Sequence, residues 1–383
     1  MRNVEKIFSE MRETVHNGPV AIKKLRESGR KVVGVYCNYT PWELISAAGA
    51  IPVALCSTSE KPIAAAERHL PRNLCPLIKA SYGHALTDTC PYFHFCDLVV
   101  GETTCDGKKK MYELLGELRP LHIMQLPQEQ DGSMSLKLWR HEMDRLRERL
   151  EVLCGVKITD KKLSDAIAAR NAVNKTAMRF FNLATLPDPV VGGKEIMLVS
   201  DYLRTTFDDE KGAALVHELT EALLNNYIDG ERRRDSFAHR ILITGCPMGE
   251  SLEKVVDALE SESGDSVVVG FENCGCLKCY GFSAGETGDP MDALAKKYLS
   301  IPCSVMSPNE GRKELLLEYV RKYRADGVID VILQACHTYA VESYTIRRFL
   351  AAEGVPYMAV ETDYSQGDTG QLSTRFQAFA EIL

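Results

Sequence analysis

The chain has 383 residues, 45% of them hydrophobic and 26% charged, a balance that excludes a disordered or collagen-like polypeptide and is ample for a large core. Lys and Arg number 46 against 53 Asp and Glu, and the resulting charge of −7 argues against nonspecific nucleic-acid binding. The outlier is cysteine: thirteen residues, an odd number, behind an N-terminus (Met-Arg-Asn-Val-Glu-Lys) without the apolar stretch of a secretory signal.

No apolar run is long enough to predict a membrane span. The expected location is therefore cytoplasmic, with reduced thiols and no disulfide framework.

In chain order, the first elements alternate. Lys31–Cys37, Ile51–Cys56, Asp97–Glu102 and Leu121–Leu126 read as short buried strands. Helix-like pieces such as Pro41–Ala50 and Lys108–Glu117 lie between them, which predicts βαβ units and a parallel sheet. The next hundred residues read as helix. Trp139, Met143, Leu146, Leu150 and Leu153 recur at helical spacing. Asp160 is the predicted N-cap of a second helix, with Leu163, Ile167 and Phe180 on its apolar face. Leu215, Leu219 and Leu223 continue the pattern, and Arg232-Arg-Arg234 reads as a solvated face or linker. Strands then return at Arg240–Gly245, Ser266–Phe271, Val328–Leu333 and Val355–Val360. The predicted fold class is α/β: two duplicated parallel-sheet domains, Rossmann- or flavodoxin-like, over 1–130 and 238–383, with a helical insert over 131–237.

The cysteines follow the duplication. Cys37, Cys56, Cys105, Cys246, Cys274 and Cys336 each come directly after a predicted strand, and Cys75 and Cys303 sit in matching loops. Ligands of open parallel sheets bind beyond the carboxyl ends of the strands. Packing cysteines belong inside strands or on helix faces, and Cys154 at a helix end reads as one of these. Zinc prefers tight ligand pairs, and Cys274, Cys276 and Cys279 form the only compact group, with no fourth ligand nearby. Dispersed soft thiolates from two domains suit an iron–sulfur cluster better, one that can leave an iron open to substrate.

Other motifs are weaker. Gly101 to Lys109 departs from the phosphate-loop spacing and lacks its Ser/Thr, so ATP use is assigned to a partner. No glycine fingerprint for a nicotinamide cofactor follows a strand. His122 within a strand reads as core. His337, Glu272, Glu361 and Asp363 stand at strand ends as candidate proton sources, with His337 and Glu272 the expected catalytic pair.

Four segments carry a resemblance: Thr40-Pro-Trp-Glu-Leu-Ile-Ser-Ala-Ala-Gly49, Leu70-Pro-Arg-Asn-Leu-Cys75-Pro, Thr103-Thr-Cys105-Asp-Gly-Lys-Lys and Gly370-Gln-Leu-Ser-Thr-Arg375. Through them the chain resembles the D-component family of 2-hydroxyacyl-CoA dehydratases. In Asp88-Thr-Cys90-Pro-Tyr-Phe, Thr244-Gly-Cys246-Pro, Glu272-Asn-Cys274 and Gln334-Ala-Cys336-His-Thr-Tyr it is similar to the double-cubane proteins within that family. That resemblance implies an 8Fe-9S cluster on six cysteines in a homodimer, fed with electrons by a separate homodimeric 4Fe-4S ATPase. It implies reduction of small molecules such as acetylene, azide or hydrazine. Cys75, Cys105 and Cys336 match the positions that hold a single cubane in the dehydratases. Cys90, Cys246, Cys274 and Cys303 are the further candidates, with Cys37 and Cys56 open and Cys96, Cys276 and Cys279 as extras. The alternatives are a dehydratase subunit with one 4Fe-4S cluster, a non-catalytic electron-transfer or metal-storage protein, and a zinc-stabilised binding protein. No nucleic-acid or membrane partner is expected.

Overall fold

Each of the eight apolar runs becomes a strand in the computed structural model, which describes residues 3–56, 58–234, 238–246, 249–260 and 265–383. Strands β1 (Val32–Val35), β2 (Ile51–Ala54), β3 (Leu98–Glu102) and β4 (Leu121–Met124) form one sheet in the order β2-β1-β3-β4. Strands β5 (His239–Gly245), β6 (Ser266–Glu272), β7 (Gly327–Leu333) and β8 (Tyr357–Thr362) form a second in the order β6-β5-β7-β8. All pairings are parallel, and the second order repeats the first. The duplicated α/β architecture is therefore present. Strands β1, β3, β6 and β7 are buried along their whole length, because helices cover both faces of each sheet; this is why they read as unbroken apolar runs.

The helical stretch forms four helices, Ser133–Cys154, Asp160–Phe181, Gly193–Thr205 and Asp209–Ile228. Trp139, Met143, Leu146 and Leu150 are fully enclosed and share a core with Val33, Val35, Leu98 and Val100 of the first sheet. Leu153 is only half-buried, since the helix ends one residue later and Gly155 (φ +65°) turns the chain away. The cap of the second helix is Thr159, not Asp160: the Thr159 hydroxyl accepts from the Lys162 N–H at 3.3 Å. Asp160 occupies the first turn, where a carboxylate suits the helix dipole. Val199, Leu215 and Leu219 join a different core, with Val267 and Val268 of the second sheet. The expected boundary between residues 237 and 238 touches residues 235–237, which lie outside the described residues, as does Pro247 of the Thr244–Pro247 segment.

One helix of the C-terminal third crosses back. Pro290–Leu299 packs on Ser133–Cys154, and Met291 and Leu294 enter the core of the first sheet. Its Lys297 forms a buried ion pair with Glu43 at 2.5 Å, and the Tyr298 hydroxyl donates to the same carboxylate at 2.7 Å. Burial alone would push the Glu43 carboxyl up, but these two partners hold it below its usual value. The Tyr39 hydroxyl donates to the Ile301 carbonyl at 2.7 Å. This anchorage carries the segment after Leu299, and with it Cys303, to the edge of the first sheet.

Candidate functional site

The carboxyl ends of the strands open onto a cavity of about 700 Å³ between the two sheets. Ten of the thirteen cysteines line it; Cys90, Cys96 and Cys154 do not. None of the thirteen is in a disulfide. The strand-end cysteines stand at repeated offsets. Cys56 and Cys274 come two residues after β2 and β6, and Cys105 and Cys336 three residues after β3 and β7.

Cys75, Cys246 and Cys336 form the tightest group. Hydrogen bonds from the Cys246 and Cys75 thiols hold the Cys336 thiol down to about 3, against the opposing effect of burial. Cys75 is pushed up chiefly by its bond to Cys336 and then by burial. Cys246 is pushed up first by burial and then by its bond to Cys336. Local backbone sets these positions. Cys75 and Cys336 are the N-caps of the helices Pro76–Thr87 and His337–Ala352, whose first N–H groups favour a thiolate. The Leu333 N–H donates to the Cys246 sulfur at 3.0 Å. Two unusual residues precede these cysteines. Gly245 has φ +134°, and a Cβ there would stand 2.0 Å from the Val331 carbonyl oxygen. Ala335 has φ +57°, a left-handed conformation that is strained for a residue with a Cβ.

Cys303 lines the cavity together with Cys37, Cys105 and Cys274. Burial is the main cause that pushes Cys274 up to about 12, and the proximity of Cys303 is the next. It also raises Cys37 and Cys105. Cys105 caps the helix Asp106–Leu115, where burial raises the thiol while the Lys108 N–H and ammonium lower it.

Cys276 and Cys279 also line the cavity but have side-chain partners of their own. The Cys276 sulfur lies 3.1 Å from the Ser200 hydroxyl, and Arg170 donates to the Cys279 sulfur at 3.7 Å. Among the described residues, no three His, Cys, Asp or Glu side chains are placed to hold a single metal ion. Mononuclear zinc needs four ligands converging at about 2.3 Å. Thiols spread around the wall of a cavity fit a multinuclear cluster instead, so the donor set suits the group that the resemblance implies.

Three of the expected residues lie in surroundings that the sequence did not suggest. Cys90 stands outside the cavity, because it caps the short helix Pro91–Phe95, where its sulfur accepts from the Phe93 N–H at 3.4 Å. Glu272 is fully enclosed and does not line the cavity. It lies 2.8 Å from Lys278 and 3.5 Å from Arg312 and accepts from Thr244, so its side chain is engaged within the protein. Cys246, more than Cys105, is the neighbour that Cys75 and Cys336 share. His337 is exposed and lines the cavity, placing it at the rim.

The sequence reading missed two side chains. Lys108 lines the cavity beside Cys37 and Cys56, and its ammonium donates to the Tyr36 carbonyl at 2.8 Å. Tyr339 also lines the cavity, and its hydroxyl accepts from Lys278 at 3.0 Å. Each belongs to a segment that carries the resemblance, one three residues after Cys105 and the other three after Cys336. That spacing, one helical turn from a capping cysteine, was the available signal.

The family described as 2-hydroxyglutaryl-CoA dehydratase, D-component, matches residues 37–383. The chain belongs to this family. It is 49% identical to the putative dehydratase subunit YjiM of Escherichia coli K12, over 98% of both chains. It is 25% identical to the (R)-phenyllactyl-CoA dehydratase beta subunit of Clostridium sporogenes, over the whole of both. It is 22% identical to a benzoyl-CoA reductase subunit of Thauera aromatica, over 94% of this chain and 92% of that one. Dehydratase and reductase subunits are thus both represented. Among the described residues, no helix is long and apolar enough to cross a membrane.

Proposed function

We propose that this D-component chain is the iron–sulfur subunit of an activator-dependent dehydratase or reductase that acts on a small acyl substrate. The observation that carries the reading is that Cys75, Cys246 and Cys336, from both halves of the chain, line one cavity. A 4Fe-4S cluster held by these three thiolates would supply a reversible one-electron reservoir next to the substrate. The names of the relatives, subunits of acyl-CoA dehydratases and reductases, support the same class.

The chain's own groups have distinct parts. Helix N-termini at Cys75, Cys105 and Cys336 favour the thiolate form that iron needs. Lys278 holds the Tyr339 hydroxyl by its oxygen, which leaves the phenolic proton directed away from the ammonium. His337 stands at the solvent-exposed rim. The segment Gly101–Lys109 lacks a phosphate-loop pattern, so an ATP-hydrolysing activator is assigned to a separate partner, and the protein works within a larger assembly.

One observation favours a second reading. Cys37, Cys105, Cys274 and Cys303 also line the cavity, more thiols than a single cubane uses. An 8Fe-9S double cubane in a homodimer, reducing acetylene, azide or hydrazine, accounts for that surplus. Iron and acid-labile sulfide in anaerobically purified protein separate the two: about four irons per chain for one cubane, about eight for the double cluster. Fewer than about one iron per chain, or zinc in its place, overturns both.

A further inference from the structure

Beside the thiol-lined cavity lies a smaller one of about 200 Å³. The two share Trp42, Arg204 and Phe207 as a common wall. Arg170 lines the smaller cavity, and its side chain is 6% exposed. Its guanidinium is 5.1 Å from the Trp42 ring centre and 5.4 Å from that of Tyr280. Its closest carboxylate partner is Asp209 at 3.8 Å, too long for a hydrogen bond. Arg204 gives one nitrogen to Asp201 at 2.5 Å, its one hydrogen bond among the described residues. Glu43, the other acid of this cavity, is already neutralised by Lys297 and Tyr298.

A guanidinium carries five N–H donors in a rigid fork. Three such forks, Arg30, Arg170 and Arg204, border this one small space. Arg30 donates to the Gly49 carbonyl, Arg170 to the Cys279 sulfur and Arg204 to Asp201, which leaves most donors of the two inner arginines unengaged. An enclosed cation whose donors lack acceptors is costly, whereas a planar carboxylate satisfies two donors at once. The space holds roughly seven waters at about 30 Å³ each, which suits a carboxylate on a short carbon chain and is small for a larger head group.

We propose that Arg170 and Arg204 form an anion subsite for the free carboxylate end of a small acyl substrate, whose reacting end extends into the thiol cavity. The subsite deepens the preceding reading and rests on the thiol cavity being the reaction chamber. Aromatic faces on both sides of Arg170 keep its fork in the plane that carboxylate pairing needs.

The test is calorimetric binding of succinate to the full chain, with succinamide as the uncharged control at matched ionic strength. Iron is counted in the same samples. Succinate is expected to bind, and succinamide to bind at least tenfold more weakly. Arg204→Gln is expected to weaken succinate by tenfold or more, and Arg204→Lys to recover only part of it, because an ammonium lacks the fork. Arg204 is the variant of choice because its side chain is 28% exposed, and thermal melting of both variants checks their fold. The succinyl monothioester of N-acetylcysteamine is expected to bind at least as well as succinate, since it keeps the one carboxylate that the subsite reads. Equal binding of succinamide, or unchanged succinate affinity in a folded Arg204→Gln protein, overturns the subsite. Low iron with intact succinate binding overturns the cluster reading and leaves the subsite standing.

Discussion

The two halves share a strand order but compensate their buried strand-end carboxylates differently. In the second half, Glu272 ends β6 between Lys278 and Arg312, and Arg312 is held in turn by Thr244 and Glu342. In the first half, Glu102 ends β3, is equally enclosed, and has Thr40 as its hydrogen-bond partner and Lys108 as its cation. Burial outweighs both and raises the Glu102 carboxyl to about 7. One half therefore carries a closed ion network under its thiols, and the other a carboxyl poised near neutrality. The halves also exchange parts. Cys75, in the segment between β2 and β3, stands near Cys246 and Cys336 of the second half. Cys303, in the segment after Leu299, stands near Cys37 and Cys105 of the first as well as Cys274 of its own. The cysteines that line the cavity come from both halves, so a cluster held there, as proposed, would depend on the docking of the two sheets.

Breaking the closed network has the largest expected effect. Glu272→Ala leaves Lys278 and Arg312 enclosed without their shared anion and is expected to cost about 3–5 kcal/mol, read by urea unfolding. A loss under about 1 kcal/mol shows that the network is not compensating charge. Next comes Gly245→Ala, whose new Cβ meets the Val331 carbonyl where β5 and β7 approach. A loss of about 3 kcal/mol is expected, together with lower iron content, because Cys246 is the next residue. Ala335→Gly relieves the left-handed residue before Cys336 and is expected to raise stability by up to about 1 kcal/mol in differential scanning calorimetry.

The smallest effect is a slope. The folded Glu102 carboxyl, raised to about 7, holds its proton more tightly than the unfolded one, whose ordinary value is 4.5. Its contribution to stability is complete below about 4.5 and is lost as pH rises through about 7. Glu102→Gln should flatten the melting temperature over that window, while the same change at an exposed glutamate should leave the slope intact. An unchanged slope assigns the titration to another group.

Sequence reasoning reached the fold because parallel strands covered on both faces, such as β1, β3 and β7, are continuous apolar runs, and the remaining strands were still apolar enough to be visible beside them. It also placed most cysteines, since the positions after strands are where sites form. It failed where distant segments meet. Glu272 reads as a strand-end acid, and nothing local announces Arg312, forty residues later, or the return of Lys297 to Glu43. Cys90 carries the same Cys-Pro step as Cys75, yet one caps a five-residue helix outside the cavity and the other a twelve-residue helix facing it. The exchange of Cys75 and Cys303 between halves is a property of docking, which no periodicity encodes.

The central claim is that thiols from both halves build one cluster site. Anaerobic iron content of Cys75→Ala, Cys303→Ala and the Cys154→Ser control tests it most directly. The account predicts loss of at least half the iron in Cys75→Ala, a further dependence on Cys303 if the second thiol group is also used, and wild-type iron in Cys154→Ser. Full iron retention in folded Cys75→Ala would contradict it.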